Sequence, residues 1–212
     1  MSAIPYDGFF SVRTRYAATY PRLLNLPIRE QPYEYLRKAV AESGPHSRVL
    51  DFGCGVAKVL QRVLQLDDTR YHSCDADLSG SYTYASVADI PADARYEFVT
   101  ANQVFEHMSF DAAVTTAAAL SRHVSAGGIF AVSVPNPQHP SRQLSNPTHI
   151  TPWDFLSLCA LLDLAGLEVV LIARTGMHCG VRWWKRPIVR MVAETFRMDW
   201  CDTLFVVGKR AL

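Results

Sequence analysis

The sequence lacks a strong net charge of either sign. Its 212 residues include 21 Lys and Arg and 20 Asp and Glu, which gives a formal net charge of +1. Domains that bind nucleic acid or anionic membranes are usually strongly basic, because phosphate groups dominate the surfaces they contact. The charge balance therefore argues against nucleic acid as a partner.

A long uninterrupted hydrophobic run is also missing. The most apolar stretch, residues 155–173, contains Asp163, Gly166 and Glu168. It predicts a helix running into a buried strand rather than a membrane span. Residues 1–10 show neither the basic start nor the long apolar core of a secretion signal. We therefore expect a cytoplasmic protein with no stable membrane insertion.

The cysteines show no metal-binding or disulfide framework. There are five, an odd number, and no pair has the C-x2-C spacing of a zinc site. Reduced thiols and no bound metal are expected. The five are Cys54, Cys74, Cys159, Cys179 and Cys201.

What the sequence does contain is a regular alternation of strand and helix patterns, which predicts a mainly parallel α/β sheet with helices on both faces. The predicted strands are 48–51, 71–74, 82–87, 96–101, 129–134, 167–173 and 203–207. The predicted helices are 9–24, 30–41, 57–66, 110–124 and 151–166, the last starting with Thr151 as its cap. In such sheets ligands bind at the carboxyl ends of the strands.

Two segments fall outside the alternation. Residues 1–45, which are rich in aromatic side chains, are interpreted as an N-terminal helical lid on a domain formed by residues 46–212. Residues 176–200 are interpreted as a helical insertion, whose basic and aromatic residues suit a substrate wall, a dimer surface or a helix on membrane lipid. With net charge near zero, a wall or an interface is favoured. These residues are Trp183, Trp184, Lys185, Arg186 and Arg190.

The segment VLDFGCGVA, residues 49–57, is the strongest local signal. Gly53 and Gly55 follow a strand and open a helix, which lets the backbone approach a ligand closely. A dinucleotide site normally has a further glycine where this chain has Lys58, so an NAD enzyme is disfavoured. The turn predicts a site for a nucleoside-bearing cofactor.

Two aspartates follow at places where they could bind a nucleoside. Asp75 ends the second predicted strand, where a carboxylate can accept hydrogen bonds from both ribose hydroxyls. Asp89 could meet a base ring. The alternative for both is a structural role as a loop or helix cap.

These features together resemble the class I S-adenosylmethionine-dependent methyltransferases. VLDFGCGVA, Asp75, Asp89, YEFVTANQVFEHM and SAGGIFAVSVPN occur in the family's order, and NPTHITPWDFLSLCALLDLAGLEVV is similar to its substrate-side loop, helix and strand. The resemblance is closest to the small-molecule branch with "LEH" and "PGG" motifs, here residues 105–107 and 126–128. It implies a Rossmann-like open seven-stranded sheet whose last strand is antiparallel.

The resemblance also implies a cofactor, S-adenosylmethionine, and the residues that hold it. Asp51, the glycine turn and Cys54 would surround the methionine part, Asp75 and Ala76 the ribose, and Asp89 and Ile90 the adenine. Asn102, Gln103 and His107 would lie near the sulfonium. Ala57 replaces a usual glycine, and the stretch between Asp75 and Asp89 is shorter than in the family. The full set is Asp51, Gly53, Cys54, Gly55, Asp75, Ala76, Asp89, Ile90, Asn102, Gln103 and His107.

The candidate catalytic residues are His107, as a base, and His149, on a loop over the same edge. A helix cap or a backbone hydrogen bond is the alternative role for His107. Glu106 is expected at the surface or supporting the site from behind. The candidate substrate-lining residues are Tyr6, Phe9, Tyr16, Asn136 and Trp153, and simple packing of the lid is the alternative for its aromatics.

The resulting hypothesis is a methyltransferase acting on an O, N or C nucleophile of a small molecule. One alternative is an enzyme that consumes the same cofactor without methyl transfer, by cyclisation or aminopropyl-type transfer, and releases methylthioadenosine. Another is a non-catalytic binding protein that keeps the fold. A homodimer is compatible with either enzyme.

Overall fold

Strands and helices alternate along the chain as the hydrophobic pattern requires. The computed structural model describes residues 6–142, 146–177, 184 and 186–212. The strands are β1 (Val49–Phe52), β2 (Tyr71–Cys74), β3 (Tyr96–Asn102), β4 (Val124–Pro135), β5 (Glu168–Met177) and β6 (Cys201–Lys209). The helices are α1 (Tyr6–Thr19), α2 (Pro32–Glu42), α3 (Val59–Leu64), α4 (Phe110–Ser121), α5 (Phe155–Leu164) and α6 (Arg186–Phe196).

The strands form one sheet in the order β2-β1-β3-β4-β6-β5. The pairs β1–β2, β1–β3 and β3–β4 are parallel, and β6 is antiparallel to both β4 and β5. The predicted Rossmann-like α/β class, with an antiparallel last strand, is confirmed. The strand order reverses at β1, because β2 lies on one side of it and β3 on the other. A crevice at the carboxyl ends of these strands is where such sheets bind ligands.

The predicted count of seven strands was wrong for the part of the chain that the structure describes, which has six. The missing strand is 82–87, which makes only an isolated bridge between Tyr84 and Cys74. Two backbone hydrogen bonds hold Tyr84, to Ser73 and Asp75. A short 3₁₀ turn, Val87–Asp89, then ends the extended segment.

Helices cover both faces of the sheet, as predicted. On one face Leu36 of α2 and Leu60 of α3 pack against Val49 and Phe98. The opposite face carries α1, α4 and α5, whose buried side chains meet those of β3 and β4. Helix α2 therefore belongs to the layer of helices that covers this face of the sheet. The division into a lid and a cofactor domain stays a prediction.

Most helix ends differ by a few residues from the sequence-based prediction, and two of the differences have a clear physical cause. Helix α5 starts at Phe155 and not at Thr151, because the Asp154 side chain accepts a hydrogen bond from the Ser157 amide at 2.7 Å. An acidic cap of this kind satisfies a free amide of the first turn. Helix α1 ends at Thr19, two residues before Pro21, which cannot continue a helix.

A buried ion pair fixes the segment between α1 and α2 to the sheet. Arg174 of β5 contacts Asp199 at 2.9 Å and donates hydrogen bonds to the carbonyls of Leu24 and Leu26. Both charged side chains are over nine-tenths buried. The Asn136 amide donates to Asp199 at 2.8 Å. The network connects β5, the end of β4 and the approach to β6.

The described cysteines, Cys54, Cys74, Cys159 and Cys201, are free thiols, as expected, and Cys179 lies outside the described residues. No helix in the described ranges is long and apolar enough to cross a membrane. Helix α6 lies within the predicted insertion and exposes Ile188, Met191 and Phe196. Trp183, Lys185 and the Arg186 side chain lie outside the described part, so the role of the insertion stays a prediction.

Candidate functional site

The glycine turn after β1 forms the floor of the candidate site. Gly53 and Gly55 have φ values of +72° and +61°, which residues with a Cβ adopt only under strain. A Cβ on Gly53 would lie 2.3 Å from Cγ2 of Val104, whereas a Cβ on Gly55 would meet nothing within 4 Å. Gly53 therefore allows close packing inside the protein, and Gly55 leaves open space for a ligand.

Two carboxylates stand beside this turn. Asp51 is buried and accepts a hydrogen bond from the Tyr71 hydroxyl at 2.6 Å. Burial raises the pKa of Asp51 to about 7, and the nearby charge of Asp75 adds to the rise. Asp75 is half-buried and accepts hydrogen bonds from the amides of Gly55, at 2.7 Å, and Asp77, at 3.0 Å. Its remaining lone pairs can accept the two hydroxyls of a ribose.

The other candidates for cofactor binding near this turn differ in their exposure to solvent. Cys54 is half-buried, and burial raises the pKa of its thiol to about 12, so the thiol is neutral. Ala76 is exposed next to Asp75. Asp89 is exposed and accepts a hydrogen bond from Ser86, while Ile90 packs into the core.

The end of β3 supplies the amide candidates. Asn102 donates to Thr100 at 2.7 Å and accepts from the Ser133 hydroxyl at 3.1 Å, which fixes its side chain. Gln103 has a φ of +57°, and its backbone amide donates to the Ser133 carbonyl at 2.9 Å. The left-handed backbone at Gln103 directs the chain into the short turn Phe105–His107.

Glu106 in this turn is buried, with 1% of its surface exposed. Of the two roles expected for Glu106, the surface one was wrong, because the loop after Asn146 folds over it: the Ile150 amide donates to the Glu106 carbonyl at 2.8 Å. The other role, in which Glu106 supports the site from behind, stays a prediction. Among the residues that the structure describes, neither carboxylate oxygen of Glu106 has a hydrogen-bond partner. Burial raises the pKa of this carboxyl to about 7.

The structure brings the two predicted catalytic histidines together beside Glu106. The rings of His107 and His149 meet edge to face with centroids 4.9 Å apart. Nδ1 of His107 lies 3.2 Å from the Thr148 carbonyl, and Nε2 lies 3.9 Å from the Glu106 carboxylate. A carbonyl only accepts, and the Thr148 hydroxyl donates to Asn146, so both contacts of Nδ1 favour the tautomer with the hydrogen on Nδ1, which leaves the lone pair of Nε2 free.

Three of the predicted substrate-lining residues are buried inside the protein. Phe9, Trp153 and Asn136 are 3%, 1% and 0% exposed, respectively. Phe9 packs edge to face on Phe110, and Trp153 donates to the Phe105 carbonyl. Their aromatic and amide groups are used inside the fold, so sequence pattern alone could not separate them from lining residues.

Tyr16 and Tyr6 complete that set. The Tyr16 hydroxyl donates to Asp163 of α5 at 2.8 Å, and burial together with that carboxylate raises its pKa. Phe9 and Tyr16 are seven residues apart in α1, so they share a helix face. The packing alternative therefore describes both residues. The Tyr6 side chain lies outside the described part of the chain.

The residues at the strand ends fit the cofactor that the resemblance implies. The space beside Gly55 is open, because a Cβ at this position would have no neighbour within 4 Å. The two carboxylates of Asp51 and Asp75 give negative charge next to it, which suits a ligand that carries a sulfonium and an ammonium. Asp75 keeps lone pairs for a diol.

Comparison with known proteins agrees with this geometry. A family model described as a methyltransferase domain matches residues 21–172. No curated protein matches the chain. An S-adenosylmethionine-dependent methyltransferase from Archaeoglobus fulgidus has 15% identity and a TM-score of 0.59, with 84% of this chain and 94% of that chain covered.

Two further solved structures share the fold. Magnesium protoporphyrin IX methyltransferase from Synechocystis, with bound S-adenosylmethionine, has 13% identity and a TM-score of 0.53, covering 84% of this chain and 78% of that chain. A putative methyltransferase from Haloferax volcanii, in complex with the activator Trm112, has 17% identity and a TM-score of 0.56, with 97% of each chain covered. Because the family model spans more than half of the residues, the chain belongs to the methyltransferase domain family, enzymes that use S-adenosylmethionine.

Proposed function

We propose that this enzyme transfers the methyl group of S-adenosylmethionine to an O, N or C nucleophile of a small molecule. The observation that supports this proposal is the pair His107 and His149, which lies next to the end of β3 and presents a free ring lone pair at Nε2 of His107. The structural relative from Synechocystis has a small-molecule acceptor by its name, magnesium protoporphyrin IX.

The cofactor side is assigned to the residues around the glycine turn. Asp75 would hold the ribose, and the acid pair Asp51 and Asp75 would attract the positive end of the cofactor. Asp89 with Ile90 would border the adenine, and Asn102 with Gln103 would line the methyl donor. When bound, S-adenosylmethionine supplies an already activated methyl group, so the protein has to orient the acceptor and exclude water.

The acceptor side is assigned to the histidine pair. The Nδ1 hydrogen of His107 is directed at Thr148, which holds the ring with Nε2 toward Glu106. In this orientation Nε2 can receive a proton or a cation. Phe9, Trp153 and Asn136 are buried and would support the acceptor side of the site from inside the fold.

A methyl-transfer assay tests the proposal. Protein is incubated with cofactor carrying a labelled methyl group and with separate pools of small hydroxyl, amine and enol compounds, RNA and protein. We expect label in a small-molecule product together with S-adenosylhomocysteine. Asp75→Ala should abolish labelling by weakening cofactor binding, whereas Asp93→Ala, an exposed control on the loop before β3, should not.

Other outcomes would contradict the proposal. Label found only in RNA or protein would overturn the small-molecule assignment. Release of methylthioadenosine would support the alternative of cyclisation or aminopropyl-type transfer, which the methyltransferase family does not favour. Cytoplasmic location and a homodimer stay predictions, testable by cell fractionation and light scattering.

A further inference from the structure

Three side chains of metal-binding type meet at the acceptor side. The ligand atoms of Glu106, His107 and His149 all lie within 4.8 Å of one another. They come from two segments, the turn after β3 and the loop that precedes α5. No cysteine pair has C-x2-C spacing, and this cluster contains no cysteine, so a cysteine pattern could not have indicated it.

The cluster holds polar atoms that have no partner. Glu106 is 1% exposed, and neither of its carboxylate oxygens accepts a hydrogen bond from the part of the chain that the structure describes. Nδ1 of His149 is also buried and has no hydrogen-bond partner within the described ranges. Burying a carboxylate without compensation is costly, so native proteins rarely leave one unpaired. A carboxylate and an imidazole nitrogen without partners at one place suit a metal ion, which accepts a lone pair from each of them.

The orientation of His107 supports the same conclusion. Its Nδ1 lies against the carbonyl of Thr148 at 3.2 Å and the hydroxyl of Thr148 at 2.9 Å. Histidines that bind metals usually donate their other ring hydrogen to such an oxygen, which fixes the tautomer and directs the free lone pair at the ion. Here that lone pair is on Nε2, the atom 3.9 Å from Glu106.

We propose that Glu106, His107 and His149 bind one divalent transition-metal ion of the kind that imidazole prefers, such as Zn²⁺. Bonds to Zn²⁺ are about 2.0–2.2 Å long, so two ligand atoms of one ion lie at most about 4.4 Å apart. In the tetrahedral geometry of zinc the ligand atoms lie about 3.4 Å apart, so side chains whose ligand atoms are now within 4.8 Å of one another need to close by up to about 1.4 Å. Three protein ligands leave a coordination position open, as in catalytic zinc sites.

The open position would take the oxygen of an acceptor hydroxyl, and this part rests on the proposed function. A bound cation lowers the pKa of a coordinated oxygen. The hydroxyl releases its proton to solvent, the oxygen forms a bond to the methyl carbon, and the carbon–sulfur bond breaks with its electron pair going to sulfur. The products are a methyl ether and S-adenosylhomocysteine.

The site is tested first by metal binding alone. Full-length protein is treated with a chelator, desalted, and titrated with Zn²⁺ by calorimetry and with Co²⁺ by visible absorption. We expect one ion per chain, d–d absorption bands from Co²⁺, and a higher melting temperature with Zn²⁺. Glu106→Gln and His149→Gln should each weaken binding by at least about 100-fold.

His46→Gln is the matched control, because His46 is exposed and far along the chain from the cluster. It should bind Zn²⁺ as the original protein does. Circular dichroism verifies that each variant folds, and Glu106→Gln keeps the shape of the side chain. No Zn²⁺ bound by the chelator-treated protein, or equal binding by Glu106→Gln, would overturn the site.

Activity then tests the role of the ion. Zn²⁺ should restore methyl transfer to hydroxyl compounds in the chelated protein without changing cofactor affinity. Methyl transfer that is unaffected by removing the ion would overturn the acceptor role. Because the titrations use neither cofactor nor acceptor, a failed methyl-transfer assay counts against the proposed function alone, and a failed titration counts against the metal site alone.

Discussion

Replacing Gly53 and Gly55 with alanine, one at a time, separates backbone strain from steric overlap at the glycine turn after β1. A new Cβ at this position meets a φ of +72° and the Cγ2 atom of Val104 at 2.3 Å. Gly55 provides a matched control, since its φ is +61° and a Cβ there has no neighbour within 4 Å. Gly55→Ala therefore measures backbone strain alone, while Gly53→Ala measures strain together with steric overlap.

The expected magnitudes follow from these distances. A residue with a Cβ in the left-handed region costs about 1–2 kcal/mol. Overpacking a filled site costs about 1–3 kcal/mol more, because carbon atoms normally stay 3.5–4.0 Å apart. The free energy of unfolding should fall by about 2–5 kcal/mol in Gly53→Ala and by about 1–2 kcal/mol in Gly55→Ala.

Urea unfolding followed by circular dichroism measures these values. Val104→Ala added to Gly53→Ala should recover about 1–3 kcal/mol relative to the sum of the single changes, because it removes the overlapping methyl groups. Cofactor affinity should show the reverse order. Relative to the stability that each variant loses, Gly55→Ala should weaken cofactor binding more than Gly53→Ala, because its Cβ fills the open space. Equal loss of stability in the two glycine variants, or no recovery on shortening Val104, would refute the assigned contacts.

Two further predictions concern charged groups. Affinity for S-adenosylmethionine should improve as the pH rises through about 7, because the raised pKa of Asp51 keeps its carboxyl protonated and uncharged at lower pH, and calorimetry on Asp51→Asn should show this dependence lost. Arg174→Ala should lower the free energy of unfolding by about 3–5 kcal/mol, because it leaves the buried carboxylate of Asp199 without its cation. A loss below about 1 kcal/mol in urea unfolding would contradict that role.

The residues proposed to hold the cofactor could be picked out from the sequence because their signals are local. A glycine pair between a strand and a helix, and an acid at the end of the next strand, depend on short segments whose geometry the pattern determines. The structure adds the contact that joins them, from the Gly55 amide to Asp75 at 2.7 Å. The helix boundary at Asp154 was missed because Thr151 and Pro152 carry an equally good starting pattern.

Packing roles were harder to predict, since they depend on contacts between distant segments. Phe9 and Trp153 looked like lining residues by composition, yet both lie in the core. Residues 82–87 had a strand pattern but only one bridging residue, Tyr84, beside β2. Whether a β pattern forms a strand is decided by the partner edge available to it, which the segment itself does not encode.

Glu106 shows the same limit at the acceptor side. Its neighbour His149 is 43 residues further along the chain and approaches it only because the loop hydrogen-bonds to the turn through the amide of Ile150. The motif identified a glutamate next to a histidine, and nothing in it indicated that the carboxylate would be buried without a partner.

That burial separates the two ends of the site chemically. Asp51 and Asp75 are held by the protein's own donors, Tyr71 and Gly55, and suit a cationic cofactor. Among the described residues Glu106 has no such donor, so its carboxyl is either protonated or compensated by what binds beside it, and the metal ion proposed above would supply that charge.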